Sequence, residues 1–128
     1  MDLQIKGKKA IMAGGSAGMG RATAERLAEA GVDLVITARR KERLEKAAEA
    51  ISAKYKVSVK PIVADSSKAE DRARLLQACP DPDILAITIK PPAPNGDFLK
   101  VTPDMWRESI DTALLGPIEL MRQYIPHM

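Results

Sequence analysis

Short apolar runs alternate with longer segments of helical pattern along this chain. Strands are predicted at Lys9–Ala13, Asp33–Thr37, Ser58–Val63 and Ile84–Ile89. Helices are predicted at Met19–Ala30, Lys41–Lys54, Lys68–Ala78 and Pro103–Ile125. Because strands that alternate with helices are typical of βαβ units, the pattern predicts one α/β domain over residues 1–128, built around a doubly wound parallel sheet.

Local signals refine the last predicted helix and the loop before it. Thr102-Pro103-Asp104 supplies a capping residue, a first-turn proline and an acid on the helix dipole. Pro117 lies inside the helix and is expected to kink it or to split it after Gly116. The loop Pro91-Pro92-Ala93-Pro94-Asn95-Gly96 follows the fourth strand at the carboxyl edge of the sheet, where ligands bind in open α/β folds.

A glycine-rich turn joins the first predicted strand to the first predicted helix. A turn of this kind presents backbone N–H groups and the positive end of a helix dipole to a phosphate. Gly14 lets the strand turn sharply, Gly18 lets a pyrophosphate approach bare backbone, and Gly20 lets the helix pack closely on the sheet. The turn predicts a dinucleotide site, and the alternative is a purely structural tight turn. Its candidate cofactor-binding residues are Gly14, Ser16, Gly18, Met19 and Gly20.

Composition and charge argue against several other classes of protein. The 128 residues carry a net charge of +3, with basic and acidic residues interleaved along the helices, so no nucleic-acid partner is expected. No apolar run approaches the ~20 residues that a bilayer span requires, and no secretory signal is visible, so no membrane partner is expected. The single cysteine, Cys79, favours a reducing compartment and a cytoplasmic location, and a packing role is expected for it.

Several further segments carry a resemblance to a known family. Together with the glycine spacing, they resemble the N-terminal half of a short-chain dehydrogenase/reductase from Lys8 to Met128. The resemblance implies a Rossmann-like sheet in strand order 3-2-1-4 and an ancestry among NADP-dependent oxidoreductases. The segments are Gly14-x-x-x-Gly18-x-Gly20, Thr37 to Leu44, Asp65-Ser66, Gly96-Asp97-Phe98, Thr102-Pro103-x-Met105-Trp106 and Leu114-Leu115-Gly116-Pro117.

The chain departs from the family pattern at positions that serve the cofactor and catalysis. Ala13 stands where the family has threonine, and Ala113 stands where it has the asparagine of the catalytic network. After the fourth strand, Ile87-Thr88-Ile89-Lys90 stands where the family has Asn-Asn-Ala-Gly. No Tyr-x-x-x-Lys pair occurs in residues 1–128. No catalytic residue is therefore assigned, and the isolated chain is not expected to reduce carbonyl compounds.

The resemblance implies cofactor contacts at four more residues. Arg39 and Arg40 match a turn typical of NADP binding, and no acid that would favour the unphosphorylated ribose is present there. The alternative is that both arginines belong to a solvated first helical turn. Asp65 and Ser66 occupy the place where an aspartate faces the adenine ring. Because bulkier side chains follow the fourth strand, we expect weak NADP(H) binding, adenine-phosphate end first, with NADP(H) preferred over NAD(H).

Two classes of function remain open from the sequence. The first is an NADP(H)-binding half-domain that a partner chain completes. The second is an engineered, shortened and non-enzymatic α/β scaffold that folds or self-assembles with little or no cofactor binding. The loss of polar positions and the end of the chain just before the family's fifth strand favour the second class. A titration with NADPH separates the two.

The fourth strand is expected to form an edge of the sheet, because the fifth strand of complete family members does not follow. An apolar and uncharged edge is a template for pairing with another chain. We expect a two-fold homodimer that covers Ile84, Leu85, Ile87 and Ile89, through antiparallel pairing of the fourth strands or packing of the last helices. The alternative is a monomer in which the last helix or the proline loop covers the edge.

Overall fold

Four parallel strands form one sheet in this computed structural model, which describes residues 1–91 and 96–128. The strands are β1 (Lys9–Ala13), β2 (Asp33–Ala38), β3 (Val59–Val63) and β4 (Ile84–Ile87). Their order is β3-β2-β1-β4, and each neighbouring pair is parallel. The Rossmann-like fold and the strand order 3-2-1-4 are therefore confirmed. The central residues of the predicted proline loop, 92–95, lie outside the described residues.

Helices cover both faces of the sheet. Their bounds are α1 (Gly18–Glu29), α2 (Lys41–Tyr55), α3 (Ala69–Ala78), α4 (Pro103–Ile110) and α5 (Gly116–Tyr124). Helix α4 begins at the predicted cap, where the Thr102 hydroxyl accepts a hydrogen bond from the Met105 N–H at 3.3 Å. Among the described residues, none of the helices has both the length and the apolar character needed to cross a bilayer.

Alternating side chains of the strands build one apolar core on each face of the sheet. On one face, Ala10 and Met12 pack with small residues of α1 and with Leu44 and Ile51 of α2. On the other face, Ile11 packs with residues of α3 and α5. This alternation follows from the period of two in a strand, and burial on both faces explains the nearly continuous apolar runs. The two cores hold the carboxyl ends of the strands in fixed positions.

Strand β4 is shorter than predicted: it ends at Ile87, whereas the prediction was Ile89. The reason is that β1 turns away from it. The Thr88 N–H still donates to the Ala13 carbonyl at 2.9 Å. After β1, the N–H groups of Gly14 and Gly15 donate instead to the Thr37 carbonyl in β2, at 2.9 and 3.1 Å. Residues 89 and 90 therefore have no strand beside them within the described residues.

The side chains of β4 lie on the faces that the alternation predicts. Leu85, Ile87 and Ile89 pack against the core beside α3 and α5. Ile84 and Ala86 pack against the core beside α1 and α2. The strand is nevertheless only half-buried along its length, because it forms an edge of the sheet within the described residues.

The last predicted helix is interrupted, but not at the predicted point. A π-helical turn at Asp111–Leu115 separates α4 from α5, so the break lies before Gly116 and not after it. Pro117 then falls in the first turn of α5, directly after the π turn, in which the Gly116 N–H donates to the Asp111 carbonyl. The proline correctly predicted an irregularity in the helix. The irregularity is the π turn, which lies just before the proline.

Tyr124 closes the core between α3 and α5. It is fully buried beside Leu75 and Cys79. Burial, together with the neighbouring Cys79 thiol, raises the pKa of Tyr124 to about 12, and Gln123 opposes this shift. The Tyr124 hydroxyl has no well-formed hydrogen bond to a described residue, and the adjacent Gln123 amide donates to the Arg72 carbonyl at 3.0 Å. Burial also raises the pKa of the Cys79 thiol, which agrees with its predicted packing role.

We predict that Tyr124→Phe leaves the free energy of unfolding unchanged or raises it by up to about 1 kcal/mol, because the lost hydroxyl is poorly paired. Between about pH 10 and 12 the unfolded tyrosine loses its proton while the folded one keeps it, so wild-type stability falls as the pH rises through that window. The variant should show a smaller fall. Urea unfolding at neutral and alkaline pH measures both effects.

A loss of several kcal/mol for Tyr124→Phe at neutral pH would contradict this prediction, because it would mean that the hydroxyl makes an important hydrogen bond.

Candidate functional site

A cleft of about 1160 Å³ opens at the carboxyl ends of the strands. Its walls come from the glycine turn after β1, the start of α2, the loop after β3, the segment after β4 and the π turn. The cleft is slightly larger than the roughly 300–1,000 Å³ typical of small-molecule sites. A crevice at this edge, next to the central strand, is where open α/β sheets bind ligands.

The structure brings all nine residues predicted to contact a cofactor to this one cleft. The assignment of binding to them stays a prediction. They are Gly14, Ser16, Gly18, Met19, Gly20, Arg39, Arg40, Asp65 and Ser66.

The three glycines of the turn differ in their surroundings. Gly14 has a φ of +91°, which turns the chain out of β1. Gly20 lies in α1, where a Cβ atom would overlap the Gly14 carbonyl oxygen. Gly18 has a φ of +56°, and a Cβ atom there would meet no other atom within 4 Å. The backbone at Gly18 is therefore exposed to open space, which a closely approaching phosphate requires.

The first turn of α1 has no side-chain cap. Its N-cap residue, Ala17, makes no side-chain hydrogen bond, and the turn holds no acidic residue. The first N–H groups of a helix have no intrahelical acceptor and carry the positive end of the helix dipole. Helix α1 thus presents donors to the cleft that an anion would satisfy.

Three arginines form the wall at the start of α2. Arg39 and Arg40 were expected there, and Arg43 lies with them one helical turn later. All three side chains are exposed, and none makes an ion pair with another described residue. Sequence analysis missed Arg43, although its spacing of three from Arg40 on a helix was a usable signal. Three unpaired guanidinium groups make this side of the cleft strongly positive.

The loop after β3 is fixed by hydrogen bonds to α3. Asp65 Oδ1 accepts from the Ser67 N–H at 3.0 Å and from its hydroxyl at 2.6 Å. Asp71 Oδ2 accepts from the Asp65 N–H at 2.8 Å, and Arg72 donates to the Ser66 carbonyl at 2.8 Å. A hydrogen bond from Arg74 and the bond from Asp65 lower the pKa of the Asp71 carboxyl. The loop therefore holds Asp65 and Ser66 in one orientation at neutral pH.

The segment after β4 forms the opposite wall. The Thr88 hydroxyl is buried, lines the cleft and has no hydrogen-bond partner among the described residues. The Thr88 carbonyl lies so close to the glycine turn that a Cβ atom on Gly14 would be 2.8 Å from it. Ile89 packs toward the core beside α5, whereas Lys90 is exposed along the cleft.

The π turn contributes Thr112, a second wall residue that sequence analysis missed. Thr112 is buried, and the adjacent Ala113 is exposed. A Cβ atom on Gly116 would lie 3.0 Å from the Ser66 carbonyl, so α5 begins in close contact with the loop after β3. Single π turns inside helices occur frequently at functional sites. The periodicity of the sequence does not predict this turn.

Comparison with known proteins identifies the family. Residues 8–128 match the family model described as short chain dehydrogenase. The chain belongs to the short-chain dehydrogenase family. It is 29% identical over its whole length to an uncharacterised oxidoreductase of Bacillus subtilis, covering 48% of that protein. Over 97% of the chain, it is 34% identical to an uncharacterised oxidoreductase of Listeria monocytogenes, covering 51% of it. The chain thus spans about half the length of these curated relatives.

Solved short-chain dehydrogenases share the fold closely. The L-sorbose reductase of Gluconobacter frateurii, solved with NADPH and L-sorbose, superposes with a TM-score of 0.91 at 27% identity, over 100% of this chain and 50% of that one. A short-chain dehydrogenase of Sphingobium yanoikuyae in complex with NADPH gives 0.82 at 29% identity, over 93% and 47%. Both of these relatives bind NADPH.

The described part of the chain contains no cluster of metal-ligating residues. No three residues of the types His, Cys, Asp and Glu lie close enough there to hold a metal ion. The polar groups of the cleft include glycine backbone, a helix start and arginines, which are the types of group that bind phosphates. This donor set fits the anionic groups of a dinucleotide.

We predict that alanine destabilises the protein to different extents at two glycines of the turn. Gly20→Ala should lower the free energy of unfolding by about 3 kcal/mol, because the new methyl group meets backbone that cannot move. Gly18→Ala should cost only about 1 kcal/mol, for its left-handed conformation, because the space around it is open. Urea unfolding of the two variants compares them directly. Equal stability of both would contradict the close packing of α1 on the turn.

Proposed function

We propose that this chain is the NADP(H)-binding half of a short-chain oxidoreductase. One observation carries the proposal: an exposed glycine backbone and three unpaired arginines line the same cleft. An uncapped helix start binds a pyrophosphate, and a guanidinium group binds a 2′-phosphate, which NADP(H) has and NAD(H) lacks. The NADPH complexes of two relatives support the same cofactor class.

Each wall of the cleft has a separate part in this proposal. The glycine turn and the first turn of α1 hold the pyrophosphate, with Gly18 as the point of closest approach. Arg39, Arg40 and Arg43 hold the 2′-phosphate, and the fixed Asp65 loop borders the adenine. The cofactor, when bound, supplies hydride chemistry.

The reaction itself is not assigned to residues of this half. Acid/base catalysis in the family uses a Tyr-x-x-x-Lys pair, and residues 1–128 contain none. Ala113, at the position of the family's network asparagine, cannot donate or accept a proton. We therefore infer that these residues bind NADP(H) weakly and do not reduce carbonyl compounds on their own. The alternative is a non-enzymatic α/β scaffold that binds no nucleotide.

We predict tighter binding of NADPH than of NADH, measured by isothermal titration calorimetry. Arg39→Ala should weaken NADPH binding about tenfold and leave NADH binding unchanged, because only NADPH offers the 2′-phosphate. Arg26→Ala is the matched control. Arg26 lies in the last turn of α1, is paired with Glu29 at 2.7 Å and does not line the cleft.

Equal affinity for NADPH and NADH in the unmodified protein would overturn the role of the arginines. Absence of binding by either nucleotide would favour the scaffold alternative.

A second proposal concerns a partner. We propose that a second copy of the chain packs on the stripe of apolar residues along α4, the π turn and α5. These side chains follow one another at intervals of three or four residues and are 40–64% exposed. A stripe of this spacing lies on one side of a helix and is typical of a face that packs on another helix. The stripe consists of Trp106, Ile110, Leu114, Ile118, Met121 and Ile125.

The stripe favours helix packing over the other expected geometry, antiparallel pairing of β4. Strand β4 is only four residues long, and its side chains pack inward. A two-fold axis beside α4 and α5 would bury the same face of both copies.

We predict a dimer by light scattering, which Leu114→Glu dissociates because it places a charge in the contact. Leu99→Glu is the matched control, since Leu99 is also exposed but lies outside the stripe. Ile87→Lys, checked for folding by circular dichroism, tests the β4 geometry. A monodisperse monomer at high micromolar concentration would overturn the partner proposal. Dissociation by Ile87→Lys alone would assign the contact to β4.

A further inference from the structure

The sheet order sets the direction in which a dinucleotide crosses the cleft, and this step rests on the proposed function. The arginines follow β2 and the Asp65 loop follows β3, both on one side of β1. Strand β4 lies on the other side of β1. A cofactor with its 2′-phosphate on the arginines and its pyrophosphate on the glycine turn therefore directs its nicotinamide half toward the end of β4.

One positive charge lies at that end of the cleft. Lys90 lines the cleft, is exposed and makes no ion pair with another described residue. The backbone of Thr88, two residues before Lys90, is held against the glycine turn. The Thr88 N–H donates to the Ala13 carbonyl, and the Thr88 carbonyl lies close to Gly14. The acid among the lining residues, Asp65, belongs to the opposite wall. No carboxylate of the described lining neutralises Lys90.

The two redox states of the cofactor differ in charge at the ring that Lys90 would meet. The nicotinamide of NADP⁺ carries a positive charge, whereas the dihydronicotinamide of NADPH is neutral. Attraction of Lys90 to the phosphates is common to both states and cancels in their comparison. Repulsion from the ring acts on NADP⁺ alone.

We propose that Lys90 makes this cleft discriminate between the redox states, so that it binds NADPH more tightly than NADP⁺. A cation next to the ring favours the uncharged form by about fivefold if the two charges lie close together in a solvated cleft. Lys90 would thus set redox selectivity, while the arginines set selectivity for the 2′-phosphate.

Calorimetry with NADPH, NADP⁺ and adenosine 2′,5′-bisphosphate tests the proposal without any turnover. The wild-type chain should prefer NADPH over NADP⁺ by about fivefold. Lys90→Gln should bring the two affinities together, and Lys90→Glu should reverse their order. Lys100→Gln removes an exposed lysine that does not line the cleft and should leave the preference unchanged. The bisphosphate lacks the nicotinamide, so its affinity reports the arginine side alone.

The outcomes separate this inference from the proposed function. Binding of adenosine 2′,5′-bisphosphate together with equal affinities for NADPH and NADP⁺ would overturn the role of Lys90 and leave the proposed function standing. A loss of affinity that Lys90→Gln imposes equally on both redox states would also overturn it, because Lys90 would then contact only phosphate. Failure of all three nucleotides to bind would overturn both.

Discussion

The close approach of α1 to the end of β1 is the constraint on which the rest of the structure depends. Gly20 allows it, because any side chain there would overlap the Gly14 carbonyl and crowd Thr88. The contact brings the start of α1 to the carboxyl edge of the sheet, where its dipole and free N–H groups face the cleft. It also presses the segment after β4 against the glycine turn. Helix, turn and cleft wall are thus positioned by one steric requirement.

Electrostatics follow from this arrangement. A helix start without a cap or a first-turn acid leaves positive potential beside Gly18, and three arginines add to it at the neighbouring wall. The acid of the lining, Asp65, is partly satisfied within its own loop by Ser67. The proposed ligand, a 2′-phosphorylated dinucleotide, has phosphates at two separated points that match these two positive regions.

Local sequence signals predicted the features that depend on a few adjacent residues. The glycine turn, the Thr102 cap and the alternating strands are of this kind, and the structure has each of them. The end of β4 was mispredicted, because it depends on where β1 turns toward β2 and not on the β-propensity of residues 88–90. The π turn was missed for a similar reason: a helix that changes its hydrogen-bond pattern keeps an ordinary helical sequence. Thr112 belongs to that turn and lines the cleft because of it, so it was missed as well.

The departures from the family pattern divide the cleft into two functional sides. Groups that hold phosphates bind the oxidised and reduced cofactor alike, and such uniform binding does not accelerate a reaction. The residues after β4 line the cleft, and Ala113 stands at the position of the family's network asparagine. Thr88 has a buried hydroxyl without a partner among the described residues, Ala113 has only a methyl group, and Lys90 places a cation in the cleft. In the proposed function, the phosphate-binding groups recognise the cofactor and Lys90 sets a preference between its redox states, while proton transfer is assigned to none of these residues.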